Sequence, residues 1–357
     1  MDAATSNRPL PGWLPEGLKP LFSGWTNIAI TAACAALTFW LAMKLYAWGW
    51  ADAVFRGDSA ACRAASGACW AFIADKLDFF IFGFVPAAAH WRVVFVLCLI
   101  AGMIAASLYR AFWGRTLLLA WVGVLVFAAL FLHGGIFGLT PAPLRTWSGL
   151  VVTVWLAVVA LATAYPLGLI LALGRLSEMR VVRLLSIAWI ELIRGVPLIS
   201  ILFLASIMVP LFLPEGIELE VLVRAQVGFT IFGSAYLAEI FRAGLQSVPK
   251  GQSEGASSLA LTRWQALRLV VLPQALKAVI PAQVNTFIMI FKDTSLVLVI
   301  GVFDLLGTFK ASLSDPAWLG FSTEAYVAGA AFYFAVCFGM SLYSRHLEAA
   351  LSRGHAH

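Results

Sequence analysis

Residues 148–174 read SGLVVTVWLAVVALATAYPLGLILALG, a stretch without a single charged side chain. A helix rises about 1.5 Å per residue, so roughly 20 apolar residues cross the hydrocarbon core of a bilayer. Further stretches of this kind lie at about 26–48, 93–109, 116–133, 184–213, 223–242, 274–300 and 324–344. The sequence therefore predicts an all-α polytopic membrane protein with about eight transmembrane helices.

The composition of the 357 residues agrees with this class, because 62% are hydrophobic and only 12% are charged. Soluble domains are about half apolar and about a quarter charged. A disordered chain, a soluble nucleic-acid-binding protein and a small disulfide scaffold are thereby excluded. The net charge of +6 comes largely from Lys and Arg in alternate links between the predicted helices. Cytoplasmic loops carry such an excess, so both termini are predicted to be cytoplasmic.

The chain changes character near residue 144, because the predicted helices before that point contain a single charged side chain, Lys44 near the end of the first, whereas several lie within the helices after it. Charges inside the hydrocarbon are costly and by default indicate function. We expect the functional machinery in the second part. The predicted divisions are a tail at 1–25, three accessory helices at 26–144 with an external loop at 49–92, a five-helix part at 145–345, and a tail at 346–357.

Two cysteines, Cys62 and Cys69, lie together in the predicted external loop. In an oxidising compartment they can form a local disulfide, and otherwise they remain free thiols. No set of His or further Cys residues completes a metal site around them, so no metal is expected.

Two pairs of opposite charges have helical spacing. Glu191 precedes Arg194 by three residues, and Glu239 precedes Arg242 by three. Residues three apart share one face of a helix and can form an ion pair. The pairs are interpreted either as structural ion pairs or as substrate contacts.

The loop at 247–273 reads SVPKGQSEGASSLALTRWQALRLVVLP. Pro249 and Gly251 predict a turn, Ser253 a helix N-cap, and Pro273 the end of the helical run. Apolar residues recur at steps of three and four and predict one apolar helical face; they are Ala256, Leu259, Ala260, Trp264, Leu267, Val270 and Val271. The loop is either a helix on the membrane surface or a docking element, and its small residues favour docking.

Here the sequence resembles a known family. Glu254-Gly255-Ala256, then Ala260, then Val270-x-Leu272-Pro273 resembles the EAA loop of permeases in ATP-binding-cassette (ABC) importers. The segments 191–198, 235–242, 247–252, 272–275 and 292–296 also match that family's pattern. The resemblance covers about residues 145–345. Within the class it is similar to the polar amino-acid permeases, and in layout to the larger permease of a general L-amino-acid importer.

The resemblance implies a type I ABC importer permease core over 145–345 that moves amino acids across a bacterial inner membrane by alternating access. It implies that the 247–273 loop couples the permease to an ATPase. The residues carried over for this role are Glu254, Gly255, Ala256, Leu259, Ala260, Arg263, Leu272 and Pro273.

The implied partners are a dimer of ABC ATPase subunits, a second permease subunit and a periplasmic amino-acid-binding protein. The extra N-terminal helices favour a heteromeric permease pair. The chain has no Gly-x4-Gly-Lys-Ser/Thr phosphate loop, so it is not expected to be an enzyme. ATP and Mg²⁺ would be bound by the partner ATPase, and this chain is expected to hold no cofactor.

The loop departs from the family pattern at three positions. Ser253 stands where an aromatic residue is common. Gly255 replaces the second residue of the usual Glu-Ala-Ala, and Ala260 replaces the usual Gly. Ala lacks the freedom of Gly to adopt a left-handed conformation. The bend at Ala260 is therefore expected to relax, or the two short helices to be more continuous.

Adjacent charges in the seventh predicted helix are candidates for the substrate path. Lys292 and Asp293 point about 100° apart on a helix and cannot simply pair with each other. Together they offer a cation and an anion to a zwitterionic amino acid. Candidate hydrogen-bonding neighbours are Asn285, Thr294 and Ser295. The alternative is that they bond to neighbouring helices or to the partner permease.

Two other function classes compete with the importer permease. An ion-driven secondary transporter would explain intramembrane charges, but it predicts inverted repeats that the sequence does not display. A membrane-embedded enzyme would need convergent His, Cys or acidic side chains, which the spacing does not provide.

Overall fold

The computed structural model describes residues 21–135 and 138–352, and within them it contains helices and no β-strand. Seven helices in this part of the chain are long and apolar enough to cross a membrane, and a bent pair makes up to eight. The prediction of an all-α polytopic protein is thereby confirmed. Residues 1–20 and 353–357, which belong to the two predicted tails, lie outside the described residues.

The chain divides into two compact units, Met1–Asp75 and Lys76–His357. Within residues 21–75, the described part of the first unit, there are three α-helices and a wide helical turn at Ala47–Ala51. The helices are α1 (Trp25–Tyr46), α2 (Ser59–Ala64) and α3 (Trp70–Asp75). No side chain of α1 is buried, although the helix is long enough to cross a membrane. The apolar surface of α1 is therefore suited to lipid.

A disulfide closes the loop between α2 and α3. It joins Cys62 to Cys69, whose Cα atoms are 5.4 Å apart. Beside it the Val54 amide donates to the Ala68 carbonyl at 2.8 Å, and the Ala71 amide donates to the Val54 carbonyl at 3.0 Å. Both cysteines are buried. Of the two alternatives open from the sequence, the structure contains the bonded pair.

The second unit begins with three further helices, which are α4 (Leu77–Phe82), α5 (His90–Leu108) and α6 (Arg115–His133). Arg92, near the start of α5, is 1% exposed. Its guanidinium donates to the Phe131 carbonyl at 3.2 Å and to the Thr140 carbonyl at 2.8 Å. These carbonyls lie at and beyond the end of α6, where helical partners run out. Arg92 thus fastens the end of α6 to the start of α5.

The other α-helices described in the second unit are α7 (Leu150–Arg175), α8 (Arg180–Gly195), α9 (Leu198–Phe203), α10 (Val209–Phe212), α11 (Val221–Ser247), α12 (Lys250–Ser258), α13 (Arg263–Ala266), α14 (Leu272–Ala278), α15 (Ile280–Asp293), α16 (Leu305–Ser312) and α17 (Ser322–Ser352).

The centre of the second unit is the pair α7 and α11, which run side by side in the same direction. The hydroxyl oxygens of Thr163 and Thr230 are 2.7 Å apart, and further along Arg175 lies 3.3 Å from Glu239. Gly168 permits the close approach, because a Cβ there would lie 2.9 Å from the Ser234 carbonyl oxygen. Small residues at such interfaces let membrane helices pack backbone to backbone.

The predicted span at 184–213 is broken into two segments. α8 ends at Gly195, and the segment Leu198–Phe212 leaves at an angle of 103° to it. Val196 is extended and Pro197 begins the second segment, so the helix cannot continue through this point. Pro197 marks the position of the break, and the apolar run alone does not indicate its angle.

The predicted helix at 274–300 has two interruptions. The chain breaks at Val279 between α14 and α15, and it tightens into a 3₁₀ helix over Thr294–Ile300. Pro281 stands in the first turn of α15, where its missing N–H costs no helical hydrogen bond. Lys292 and Asp293 therefore lie at the junction between an α-helix and a 3₁₀ helix.

A buried carboxylate joins α16 to its neighbours. Asp304 is fully buried, accepts from the Gly307 amide at 2.9 Å and from the Tyr333 hydroxyl at 2.9 Å. The next amide, that of Leu305, donates to the Thr153 hydroxyl at 2.9 Å. Burial raises the pKa of Asp304. This group closes the end of α7 that lies opposite Arg175.

Candidate functional site

The 247–273 loop begins with a short helix. Pro249 precedes α12 with an extended backbone, and α12 starts at Lys250. The prediction that Ser253 caps this helix is wrong: Ser253 lies inside α12, and its hydroxyl donates to the Lys250 carbonyl at 2.7 Å. The fixed φ of Pro249 starts the helix earlier than the capping preference of Ser would.

The bend after α12 is kept, contrary to the expectation that Ala260 would relax it. Ala260 has φ +57°, the only positive φ of a non-glycine residue in the described part of the chain. The Leu261 amide donates to the Ala256 carbonyl at 3.2 Å, and the Ala260 amide to the Ser257 carbonyl at 2.9 Å. This is the Schellman pattern of helix ends. Its two hydrogen bonds hold Ala in a conformation that costs about 1–2 kcal/mol.

The second helix of the loop has a capping box that the sequence reasoning missed. The Thr262 hydroxyl accepts from the Gln265 amide at 3.3 Å, and the Gln265 side chain accepts from the Thr262 amide at 2.9 Å. The signal was the spacing Thr-x-x-Gln. The helix then passes through a wide turn at Leu267–Val271 into α14. Pro273 stands in the first turn of α14 and does not end the helical run as predicted.

The outer surface of this loop is apolar at its tip. Leu259 is 77% exposed and Trp264 is 63% exposed, on either side of the Ala260 bend. Ala256 and Ala266 are buried beneath them, while Glu254 and Gly255 are exposed. The predicted single apolar face is thus divided, because the bend turns Leu259 and Trp264 away from the residues that pack inward.

Two polar contacts between exposed side chains involve the loop. The Arg263 guanidinium donates to the Glu178 carboxylate at 2.8 Å, which links the loop to the connection between α7 and α8. The Gln274 amide donates to the Gln252 side chain at 3.1 Å, which links the two ends of the loop. A protein that binds the tip of the loop would contact a surface on which these polar side chains are already paired with one another.

Behind the loop lies a network of charged groups on α7, α8 and α11. The Glu239 carboxylate forms ion pairs with three guanidiniums, with N···O distances of 2.5 Å to Arg242, 3.3 Å to Arg175 and 3.7 Å to Arg194. The contact between Glu239 and Arg242 is the one expected from their spacing. Arg242 also binds the side chain of Gln246.

The expected pairing of Glu191 with Arg194 is wrong. Glu191 binds Arg175 of α7 at 2.7 Å, while Arg194 binds Glu239 of α11. The Arg194 guanidinium also lies over the Tyr236 ring, 5.7 Å from its centre. Helical spacing allows a local pair, but α8 packs against both α7 and α11 and each charge takes its partner there. No motif in the sequence singles out Arg175.

The predicted substrate-path residues lie together on α15 and the turn that follows it. Asn285 and Lys292 are exposed and seven residues apart, so they share one face of α15. Asp293 is half-buried, and neither Lys292 nor Asp293 forms an ion pair within residues 21–135 and 138–352. The Thr294 and Ser295 hydroxyls donate to the carbonyls of Phe291 and Lys292.

Comparison with known proteins gives consistent matches. The family described as "Binding-protein-dependent transport system inner membrane component" matches residues 164–353. An "Inner membrane amino-acid ABC transporter permease protein" of Escherichia coli is 45% identical, over 94% of this chain and 92% of its own length. The "Glutamate/glutamine/aspartate/asparagine transport system permease protein BztC" of Rhodobacter capsulatus is 36% identical, over 96% of this chain and 94% of its own length.

A solved structure is also similar in fold. It is described as the crystal structure of an amino acid ABC transporter with histidines. It is 34% identical and superposes with a TM-score of 0.50, covering 57% of this chain and 92% of its own. The shared part is therefore about the length of the second half of the chain, whereas the two relatives above extend over nearly all of it.

Proposed function

Because this chain belongs to the family of binding-protein-dependent transport system inner membrane components, we propose that it is the permease subunit of an ATP-driven importer of polar or general L-amino acids. The observation that carries the substrate class is the similarity to two amino-acid permeases along nearly the whole chain. The ATPase of this family is a separate partner subunit. The ion-driven alternative receives no support from any of these relatives.

In this proposal the 247–273 loop docks on the ATPase. Three observations support it: the exposed Leu259 and Trp264 at the tip, the fixed bend at Ala260, and the contact of Arg263 with Glu178. Exposed apolar patches in a polar rim are typical of protein interfaces. The docking residues proposed from the family pattern include Glu254, Gly255, Leu272 and Pro273.

The Glu239 network offers a route from the loop into the membrane. Two residues separate the end of α11 from the start of α12. Glu239 on α11 forms ion pairs with arginines of both α7 and α8. A displacement of the loop therefore acts on three helices together. ATP-driven motion of the partner would reach the transmembrane helices through this contact and switch the side of the membrane to which the permease opens.

The substrate path is proposed to pass Lys292, Asp293 and Asn285. A zwitterionic amino acid needs a cation for its carboxylate and an anion for its ammonium group. Lys292 and Asp293 provide both without neutralising each other, and polar groups of this kind in a membrane indicate function by default. Bonding to the partner permease is the competing role for the same residues.

The proposed complex contains two ATPase subunits, a second and different permease chain, and an amino-acid-binding protein outside the bacterial inner membrane. ATP and Mg²⁺ belong to the ATPase subunits, and this chain contributes no cofactor. Both termini are proposed to be cytoplasmic, on the side of the 247–273 loop. The three candidate membrane-spanning helices before residue 145 are proposed to be accessory to the permease core.

The docking role is tested by Glu254→Lys in the full complex, with binding of the ATPase measured by co-purification from nanodiscs. Glu254 is exposed and makes no ion pair within the described residues, so the substitution leaves the fold intact. We expect the ATPase to be lost. Glu218→Lys makes the same change of charge at another exposed site and should leave binding unchanged. Full ATPase binding by Glu254→Lys counts against docking through this loop.

A further inference from the structure

α8 has an exposed face of large apolar side chains. Val181, Leu184, Leu185 and Leu192 are each between 62% and 69% exposed. Ser186 and Ile190 on the opposite face are buried. A helix with one buried face and one exposed apolar face needs an apolar medium against its exposed face.

The contacts of α8 lie at one level of the bundle. Ser186 packs beside Gly174, where an added Cβ would lie 2.3 Å from the serine oxygen, and Glu191 binds Arg175, the next residue of α7. Arg194 then reaches Glu239 of α11, which itself lies 3.3 Å from Arg175. Between Ser186 and Arg194, α8 therefore crosses from α7 to α11, and its contacts stay at the same height along these two parallel helices.

The bend after α8 agrees with this crosswise position. The segment Leu198–Phe212 leaves α8 at 103° and re-enters the bundle against α11, where Leu202 is fully buried. If Leu198–Phe212 crosses the membrane, α8 lies nearly parallel to the membrane plane. Because Glu178 binds Arg263, the surface in question is the one nearest the 247–273 loop.

We propose that α8 is an interfacial helix that binds anionic phospholipids at this membrane surface. Its apolar face lies among the acyl chains. Arg180 and Arg183 in its first turn are exposed and form no ion pair among the residues that the structure describes, which leaves both guanidiniums for lipid phosphates. An amphipathic helix with basic ends and large apolar side chains has this behaviour.

The orientation is tested by nitroxide labels placed singly at Val181, Leu185, Ala188 and Leu192 in the assembled complex, in nanodiscs that contain phosphatidylglycerol. Immersion depth is read from the relative accessibility of the label to oxygen and to a nickel chelate. An interfacial α8 gives one depth at all four positions. A spanning α8 gives a depth change of about 16 Å between Val181 and Leu192.

The matched control is α1, a candidate span without buried residues. Ile30 and Leu41 are also eleven residues apart and exposed, and their labels should differ in depth by the full helical rise. A graded depth along α8 overturns the proposal. Labels shielded from both oxygen and the nickel chelate also overturn the proposal, because the apolar face of α8 then contacts a partner protein and not lipid.

The headgroup contact is tested by the double variant Arg180→Gln/Arg183→Gln, with phosphatidylglycerol retained on the purified complex counted by native mass spectrometry. Each Arg near an anionic surface changes affinity by about fivefold, so retention should fall sharply. Arg145→Gln/Lys310→Gln removes the same charge from exposed sites at the opposite end of α7 and should have no effect. Equal retention in the two variants overturns the headgroup contact.

Discussion

Ala260 holds a left-handed conformation that glycine adopts without steric cost. The penalty for a side chain there is about 1–2 kcal/mol, partly offset by the greater freedom of glycine in the unfolded chain. We expect Ala260→Gly to raise the free energy of unfolding by about 0.5–1 kcal/mol, measured by thermal unfolding of the purified protein. Ala256→Gly, inside α12, should lower it. A loss of stability in Ala260→Gly contradicts this account of the bend.

Glu239 and Glu191 carry the same charge but different numbers of partners. Glu239 forms ion pairs with three arginines and its side chain is 23% exposed, whereas Glu191 forms one ion pair among the described residues, with Arg175, and its side chain is 53% exposed. Removing the carboxylate of Glu239 leaves partly buried guanidiniums unpaired, at a cost of about 1–3 kcal/mol.

We therefore expect Glu239→Gln to lower the unfolding temperature clearly and Glu191→Gln to change it little, since a half-exposed pair contributes about 0–1 kcal/mol. The comparison is made by thermal unfolding of the two variants in the same detergent. Equal effects of the two substitutions would mean that Glu239 is not the centre of the network.

The contact between α7 and α11 depends on a glycine that no charge or motif identifies. Gly168 lies against Ser234 and Leu237, and a Cβ there would be 2.9 Å from both. We expect Gly168→Ala to push the helices apart at a cost of about 1–3 kcal/mol, measured by thermal unfolding. Gly123→Ala, in α6, meets nothing within 4 Å and should be neutral or stabilising. Similar unfolding temperatures for both variants contradict the close contact.

Elements built from apolar length and local motifs were predictable, and those fixed by distant contacts were not. The eight apolar runs follow from bilayer thickness, and the 247–273 loop follows from its motif. Pro197 accounts for the break between α8 and α9, but the angle of the bend depends on how α8 crosses α7 and α11, which sequence spacing does not indicate. For the same reason the partner of Glu191 proved to be Arg175, sixteen residues earlier in the chain and on another helix.

Buried polar groups outside the motif were the hardest to foresee. Arg92 donates to carbonyls 39 and 48 residues away, at and beyond the end of α6, and Asp304 accepts from the Tyr333 hydroxyl 29 residues away as well as from the nearby Gly307 amide. Nothing in their local sequence separates them from an exposed charge in a loop. Ala260 is the opposite case, because its local sequence predicted relaxation and two backbone hydrogen bonds prevent it.

At the scale of the whole molecule, substitutions at Lys292 and Asp293 distinguish a contact with substrate from a contact with the partner permease. If they contact substrate, Lys292→Ala and Asp293→Ala should each reduce uptake at least tenfold, the loss of about 1.4 kcal/mol of binding, while the complex still assembles. Uptake by reconstituted complexes and subunit composition are measured side by side. Unchanged uptake in both variants ends the substrate-contact hypothesis, and loss of assembly assigns them to the partner permease.

The central claim is that this chain moves amino acids only as part of an ATP-driven complex. The most direct measurement is uptake of a panel of labelled L-amino acids into proteoliposomes that contain the purified complex, with ATP supplied on the side of the ATPase. We predict uptake that requires ATP, the ATPase subunit and the binding protein, and that persists when ion gradients are collapsed by ionophores. Uptake by this chain alone, driven by a proton or sodium gradient without ATP, would contradict the account.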